Sequence, residues 1–84
     1  MKTVLTLQQY PTPLSDNAHD TAAGRLKPCL KQYGIRWKRS FLSHDRLQMW
    51  CQFEAKDVEA VRQACRSADI PLAGAWQVEK YEAG

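Results

Sequence analysis

The chain contains no apolar run approaching the length that crosses a bilayer, which excludes a helical membrane span as its organising element. Its three cysteines, Cys29, Cys51 and Cys65, are an odd set without CxxC spacing. A disulfide framework wants an even number, so they read as reduced, small apolar residues. Glycine and proline are scarce at four each, against low-complexity or linker character. No HxxxH, HxH or glycine-rich phosphate loop occurs, and no nucleophile–base pair or paired-carboxylate set is visible. Met1-Lys2 precede an apolar stretch, Val4 to Leu7, that Gln8, Gln9 and Tyr10-Pro11 break. That is too short and too polar for a secretory signal, and the expected location is the cytoplasm.

What remains is globular in composition, 44% hydrophobic and 25% charged over 84 residues. That length makes one domain, residues 1–84. A domain of this size buries only roughly 60–65% of its unfolded surface, and oligomerisation is a common remedy. The net charge of +3 is unevenly placed. Residues 25–46 hold Arg25, Lys27, Lys31, Arg36, Lys38, Arg39 and Arg46 against Asp45 alone. Such a segment can steer anions or acidic partners, and equally can be a solvated face.

Alternation over Val4–Gln9 predicts a first strand. Pro11 and Pro13 hold the next residues extended, after which Ser15 or Asp16 can cap a helix. Ala18, Ala22, Leu26 and Cys29/Leu30 recur on one helical face, with Pro28 expected to kink the helix or restart its last turn. Gly34 fits the C-terminal stop. Ile35–Leu42 reads as a second strand, Ser43–Arg46 as a hairpin turn, and Leu47–Glu54 as a third strand. There Leu47, Met49, Cys51 and Phe53 take one face, and Gln48, Trp50 and Gln52 the other. A second helix opens at Ala55-Lys56-Asp57 with the stripe Val58, Val61, Ala64/Cys65 and Ala68. A last strand is expected within Ala73–Lys80. The order βαββαβ predicts an α+β ferredoxin-like fold, a four-stranded antiparallel sheet with both helices on one face. The opposite face is expected to carry Val4, Thr6, Gln8, Gln48, Trp50 and Gln52. A Trp among glutamines suits neither a core nor a solvent face, so that face is expected to be covered.

The segment Gly34-Ile35-Arg36-Trp37-Lys38-Arg39-Ser40-Phe41, the Asp45 turn, and Cys51-Gln52-Phe53-Glu54-Ala55 resemble a small ferredoxin-like domain-of-unknown-function family that includes a nickel-binding protein. Asp57–Arg62 and Ile70-Pro71 extend the resemblance over most of the chain. It implies a homodimer whose sheets face each other in a dimeric α+β barrel. It also implies nickel or another divalent metal. Nickel-binding relatives carry His before the Ser-aromatic pair and an acidic residue near the end of strand one. This chain has Arg39 and Gln8-Gln9 there, and a guanidinium cannot be a ligand.

The leading expectation is a small polar or anionic ligand bound within the barrel by Arg39, Trp50, Gln8, Gln48 and Gln52, with Trp37 and His44 as outer residues. Arg39 suits a carboxylate through a bidentate contact, although Trp and Arg are equally typical of an interface. The alternative is a nickel-type metal protein using His44. A cofactor-free isomerase or monooxygenase is suggested only by fold analogy, and whether any reaction is catalysed stays open. RNA binding is disfavoured, because the third strand lacks the glycines and strand one the aromatics of the RNA-recognition pattern.

Overall fold

The computed structural model describes residues 1–83. Its elements are β1 (Lys2–Gln9), α1 (Asp16–Gln32), β2 (Arg36–Leu42), β3 (Gln48–Ala55), α2 (Val58–Ser67) and β4 (Gly74–Gln77). All strand pairs are antiparallel, in the spatial order β2-β3-β1-β4. This is the ferredoxin-like βαββαβ arrangement expected from the sequence, with each boundary within a few residues.

Both helices begin on side-chain caps that satisfy otherwise orphaned amides. Ser15 Oγ accepts from the Ala18 N–H and Asp57 Oδ1 from the Ala60 N–H. α1 closes through Gly34, whose φ of 67° is the left-handed conformation glycine adopts at little cost. α2 closes likewise at Asp69, φ 57°. Pro28 does not restart α1, which runs continuously from Asp16 to Gln32. Its ring must pass the carbonyl four residues back, and that residue is Gly24, where an added side chain would meet open space.

The core lies between helices and sheet. Met49, Cys51, Phe53 and Ala55 of β3 are buried against Leu26 and Leu30 of α1 and Val61, Ala64 and Cys65 of α2. β3 therefore presents the face its alternation predicted. β1 does not. Its register pairs Val4 with Phe53, Thr6 with Cys51 and Gln8 with Met49, which turns Val4, Thr6 and Gln8 into the core. Leu5 and Leu7 take the open face, half-buried. Both sets of β1 side chains include apolar residues, so hydrophobicity alone did not choose between them.

β2 carries a second correction. Trp37 pairs with Phe53 and Arg39 with Gln52, leaving Lys38 as a bulge. One extra residue reverses the alternation between its two sides. Trp37 consequently packs inward, 6.0 Å from the Phe53 ring centre, while Arg39 points outward.

The loop between β2 and β3 also fastens the start of α1. Arg46 donates through Nε to the Leu14 carbonyl and through Nη2 to Asp16 Oδ1 at 2.7 Å. Its own carbonyl accepts from the Leu14 N–H, and that of Leu47 from the Tyr10 N–H, both at 2.9 Å. These bonds fix the proline-broken segment that has no ladder of its own.

Candidate functional site

The residues expected to form one site divide between two faces of the sheet. Arg39, Gln48, Trp50 and Gln52 stand on the open face. Gln8 and Trp37 stand on the helix side.

On the open face, Leu7 lies opposite Trp50, and Leu5 lies opposite both Gln52 and Trp76. Phe41 flanks Trp50 from β2. Phe41 is 58% exposed and Trp76 49% exposed, high values for large apolar side chains on a regular sheet. Within this apolar surround, Arg39 Nη1 donates to Gln52 Oε1 at 2.9 Å. Gln52 is buried, and its Nε2 has no hydrogen-bond partner among the described residues. Arg39 remains exposed, so its other N–H groups are free to meet an anion. Leu5, Leu7, Phe41 and Trp76 were missing from the sequence-based site. The aromatic strand endings at Phe41 and Trp76 were the available signal for the last two.

On the helix side, a cavity of about 90 Å³ lies between α1 and the sheet. Gln8, Tyr10, Trp37, Met49 and Cys51 form its sheet wall, with Ala22 and Leu26 from α1 and His19 near the surface. The Tyr10 hydroxyl donates to Gln8 Oε1. Trp37 Nε1–H donates to Ser40 Oγ at 2.8 Å, and Ser40 in turn to Cys51 Sγ at 3.1 Å. Burial pushes the Cys51 thiol up, with the Ser40 and Thr6 hydroxyls tempering the effect. Burial also raises Tyr10, and charge on Cys51 would add to it. Cys51 is thus held as a neutral thiol, poor as a nucleophile or a soft-metal ligand. Tyr10 follows Gln8 by two residues at the exit of β1 and Cys51 follows Met49 by two on β3, a period-two relation readable in the sequence.

His44 stands apart from both places, exposed in the β2–β3 turn. The neighbouring Asp45 carboxylate is already committed. It accepts from Ser43 Oγ at 2.6 Å and from the Leu47 N–H at 3.0 Å, and these bonds hold its carboxyl below the usual range. Among the described residues, no three His, Cys, Asp or Glu side chains come together to hold a metal ion.

Part of the basic segment is structural. Arg25 Nε donates to the Ala68 carbonyl at 2.9 Å, tying α1 to the end of α2. Arg46 serves the loop described above. No helix is long and apolar enough to cross a membrane among the described residues.

The fold and the divided sheet define a ferredoxin-like domain with both helices on one face and an apolar opposite face left uncovered by its own chain. The family model described as "Nickel responsive protein SCO4226-like" matches residues 5–78. The chain belongs to that family. Its fold is similar to that of SCO4226 from Streptomyces coelicolor A3(2) in the crystal, with a TM-score of 0.85 over 95% of this chain and 99% of that one. The two are 11% identical, so this likeness speaks for the fold alone. No curated protein matches the chain in sequence.

Proposed function

We propose that the protein is a homodimer formed by apposing the open sheet faces of two chains, binding a small anionic ligand between them through Arg39. One observation carries this reading. The open face surrounds the Arg39–Gln52 hydrogen bond with Leu5, Leu7, Phe41, Trp50 and Trp76. A contiguous apolar surface of this kind is costly in water and typical of an interaction site, and aromatics with Arg suit an interface centre. Apposition removes water from Arg39, which strengthens its attraction for a carboxylate or phosphate. Trp50 and Gln48 stand on the same face as further contacts. A cytoplasmic location is part of this proposal and accords with three free cysteines.

Light scattering on the wild type tests the dimer, with the Phe41→Glu variant expected to run as a monomer. Calorimetric titration with succinate and with inorganic phosphate tests the ligand. Arg39→Ala should lose binding of at least one of them while circular dichroism stays native. A wild type that remains monomeric at high concentration would end this reading.

The second reading is a nickel-type metal protein, favoured by the family's nickel-responsive description. Among the described residues no three His, Cys, Asp or Glu side chains gather, so this reading places the site between chains. Micromolar nickel binding abolished by His44→Ala would favour it over the anion reading.

A further inference from the structure

We propose that the anion held at Arg39 is the carboxylate of a flat, aromatic monoanion, with the buried Gln52 amide nitrogen as its second donor. The assignment rests on the anion-binding dimer proposed above and narrows its ligand to one chemical class.

One hydrogen bond orients the amide. A guanidinium has donors only, so the 2.9 Å contact from Arg39 Nη1 must end on Gln52 Oε1, which leaves Nε2 as the free end. Nε2 is buried without a hydrogen-bond partner among the described residues, on a side chain only 9% exposed. A buried donor left unmade is unfavourable, and a ligand oxygen would relieve it. Gln52 projects from the sheet face opposite both helices, with Leu5 across from it on β1 and Trp50 two residues back on β3. Its cover on that face is made of side chains, which can rotate aside to admit a ligand where backbone could not. A carboxylate then meets both groups, one oxygen on the remaining Arg39 N–H groups and the other on Gln52 Nε2.

Charge on this face selects a single negative charge. The β2–β3 register sets Arg36 across from Glu54 and Arg39 across from Gln52. Arg36 and Glu54 offset each other, and Arg39 is left as the uncompensated charge of these two strands. A second negative charge on the ligand would lie against Leu5, Leu7 and the aromatic rings, losing its hydration without replacement. Those rings also select the body of the ligand. Phe41 is paired with Trp50 on adjacent strands, and Trp76 stands beyond Leu5 on β4. Aromatic rings gain from a second π system in offset or edge-to-face contact, beyond the area buried. An aromatic body therefore fits better than a saturated one of equal bulk.

The test titrates the whole chain with benzoate, cyclohexanecarboxylate, succinate and inorganic phosphate by calorimetry, and follows the Gln52 side-chain N–H₂ signals by NMR. Benzoate should bind tightest, about fivefold over cyclohexanecarboxylate, the scale of one aromatic contact, and should shift the Gln52 signals. Gln52→Met, which keeps the bulk and removes the donor, should weaken benzoate about fivefold, the factor that one net hydrogen bond supplies, while light scattering still shows the dimer. Equal affinity for benzoate and cyclohexanecarboxylate overturns the aromatic body. Tighter binding of succinate or phosphate than of benzoate overturns the monoanion. Gln52 signals unmoved at saturation with benzoate overturn the second donor. In each of these three cases, anion binding that Arg39→Ala abolishes would leave the anion-binding dimer standing without this narrower ligand. A monomeric wild type, or one that binds none of these anions, ends both.

Discussion

Trp37 and Arg39, two residues apart on β2, project from opposite faces of the sheet because Lys38 between them has no partner on β3. Regular alternation would have placed them together. The bulge thereby lets one strand supply an indole to the helix-side cavity and a guanidinium to the open face. Deleting Lys38 should restore simple pairing, with Trp37 still against Phe53 and Arg39 still against Gln52. We expect a folded variant losing about 1 kcal/mol or less by urea denaturation, since the extra residue lies on an exposed edge strand. Loss of cooperative unfolding would mean that the bulge itself holds β2 in place.

The same pair marks where the sequence was legible and where it was not. β3 could be read outright, since Met49, Cys51 and Phe53 alternate with Gln48, Trp50 and Gln52, and only one of those sets suits a core. The caps at Ser15 and Asp57 and the stop at Gly34 were equally readable, because their chemistry is local. β1 was ambiguous, because Leu5 and Leu7 compete with Val4 and Thr6 for the core. Its facing is decided by pairing with β3, a non-local fact. The bulge at Lys38 leaves no mark in residue type. The sequence grouped Gln8 and Trp37 with Arg39; the β1–β3 register turns Gln8 to the other face, and the bulge at Lys38 does the same to Trp37.

Gly74 and Trp76 form a second coupled pair on the open face. They occupy alternate positions of β4, and the Trp76 ring lies so close over Gly74 that an added Cβ would overlap it. Gly74→Ala should therefore lift the indole from the strand. Expected outcomes are a red-shifted tryptophan emission and a stability loss of about 1 kcal/mol, the scale of a small overpacking strain. If Trp76 completes a dimer interface, the same variant should also weaken self-association in light scattering.

Arg46 combines an uncommon backbone state with a clamping side chain. Its φ of 63° is one that a non-glycine residue adopts at a cost, while its guanidinium binds the Leu14 carbonyl and Asp16. Arg46→Ala keeps the backbone cost and loses the clamp, so it should destabilise by about 1 kcal/mol, a modest figure because the side chain is part-exposed. Arg46→Gly removes both and should fall nearer the wild type. Hydrogen exchange at Leu14 and Tyr10 should accelerate in Arg46→Ala, reporting a loosened entry to the first helix. Unchanged exchange there would show that the backbone bonds alone hold this segment.

Cys65 predicts how stability responds to alkaline pH. Burial pushes its thiol up to about 12, with the Cys51 and Cys29 thiols adding when charged. An unfolded thiol ionises near pH 8.5, so between about 8.5 and 12 the folded state keeps a proton that the unfolded state has released. Stability from this group is full below about pH 8.5 and declines as pH rises toward 12, by roughly 1.4 kcal/mol per unit at most. Cys51 and Tyr10, both raised by burial, act in the same direction. Urea midpoints of the wild type should accordingly fall steeply from pH 9 to 11. Cys65→Ala should start lower at pH 7, from its lost packing, yet decline less steeply, because one of the protons driving the slope is gone. Equal slopes in the two proteins would mean that Cys65 ionises in the folded state as readily as in water, and that the sulfur is less enclosed than its position between α2 and the sheet requires.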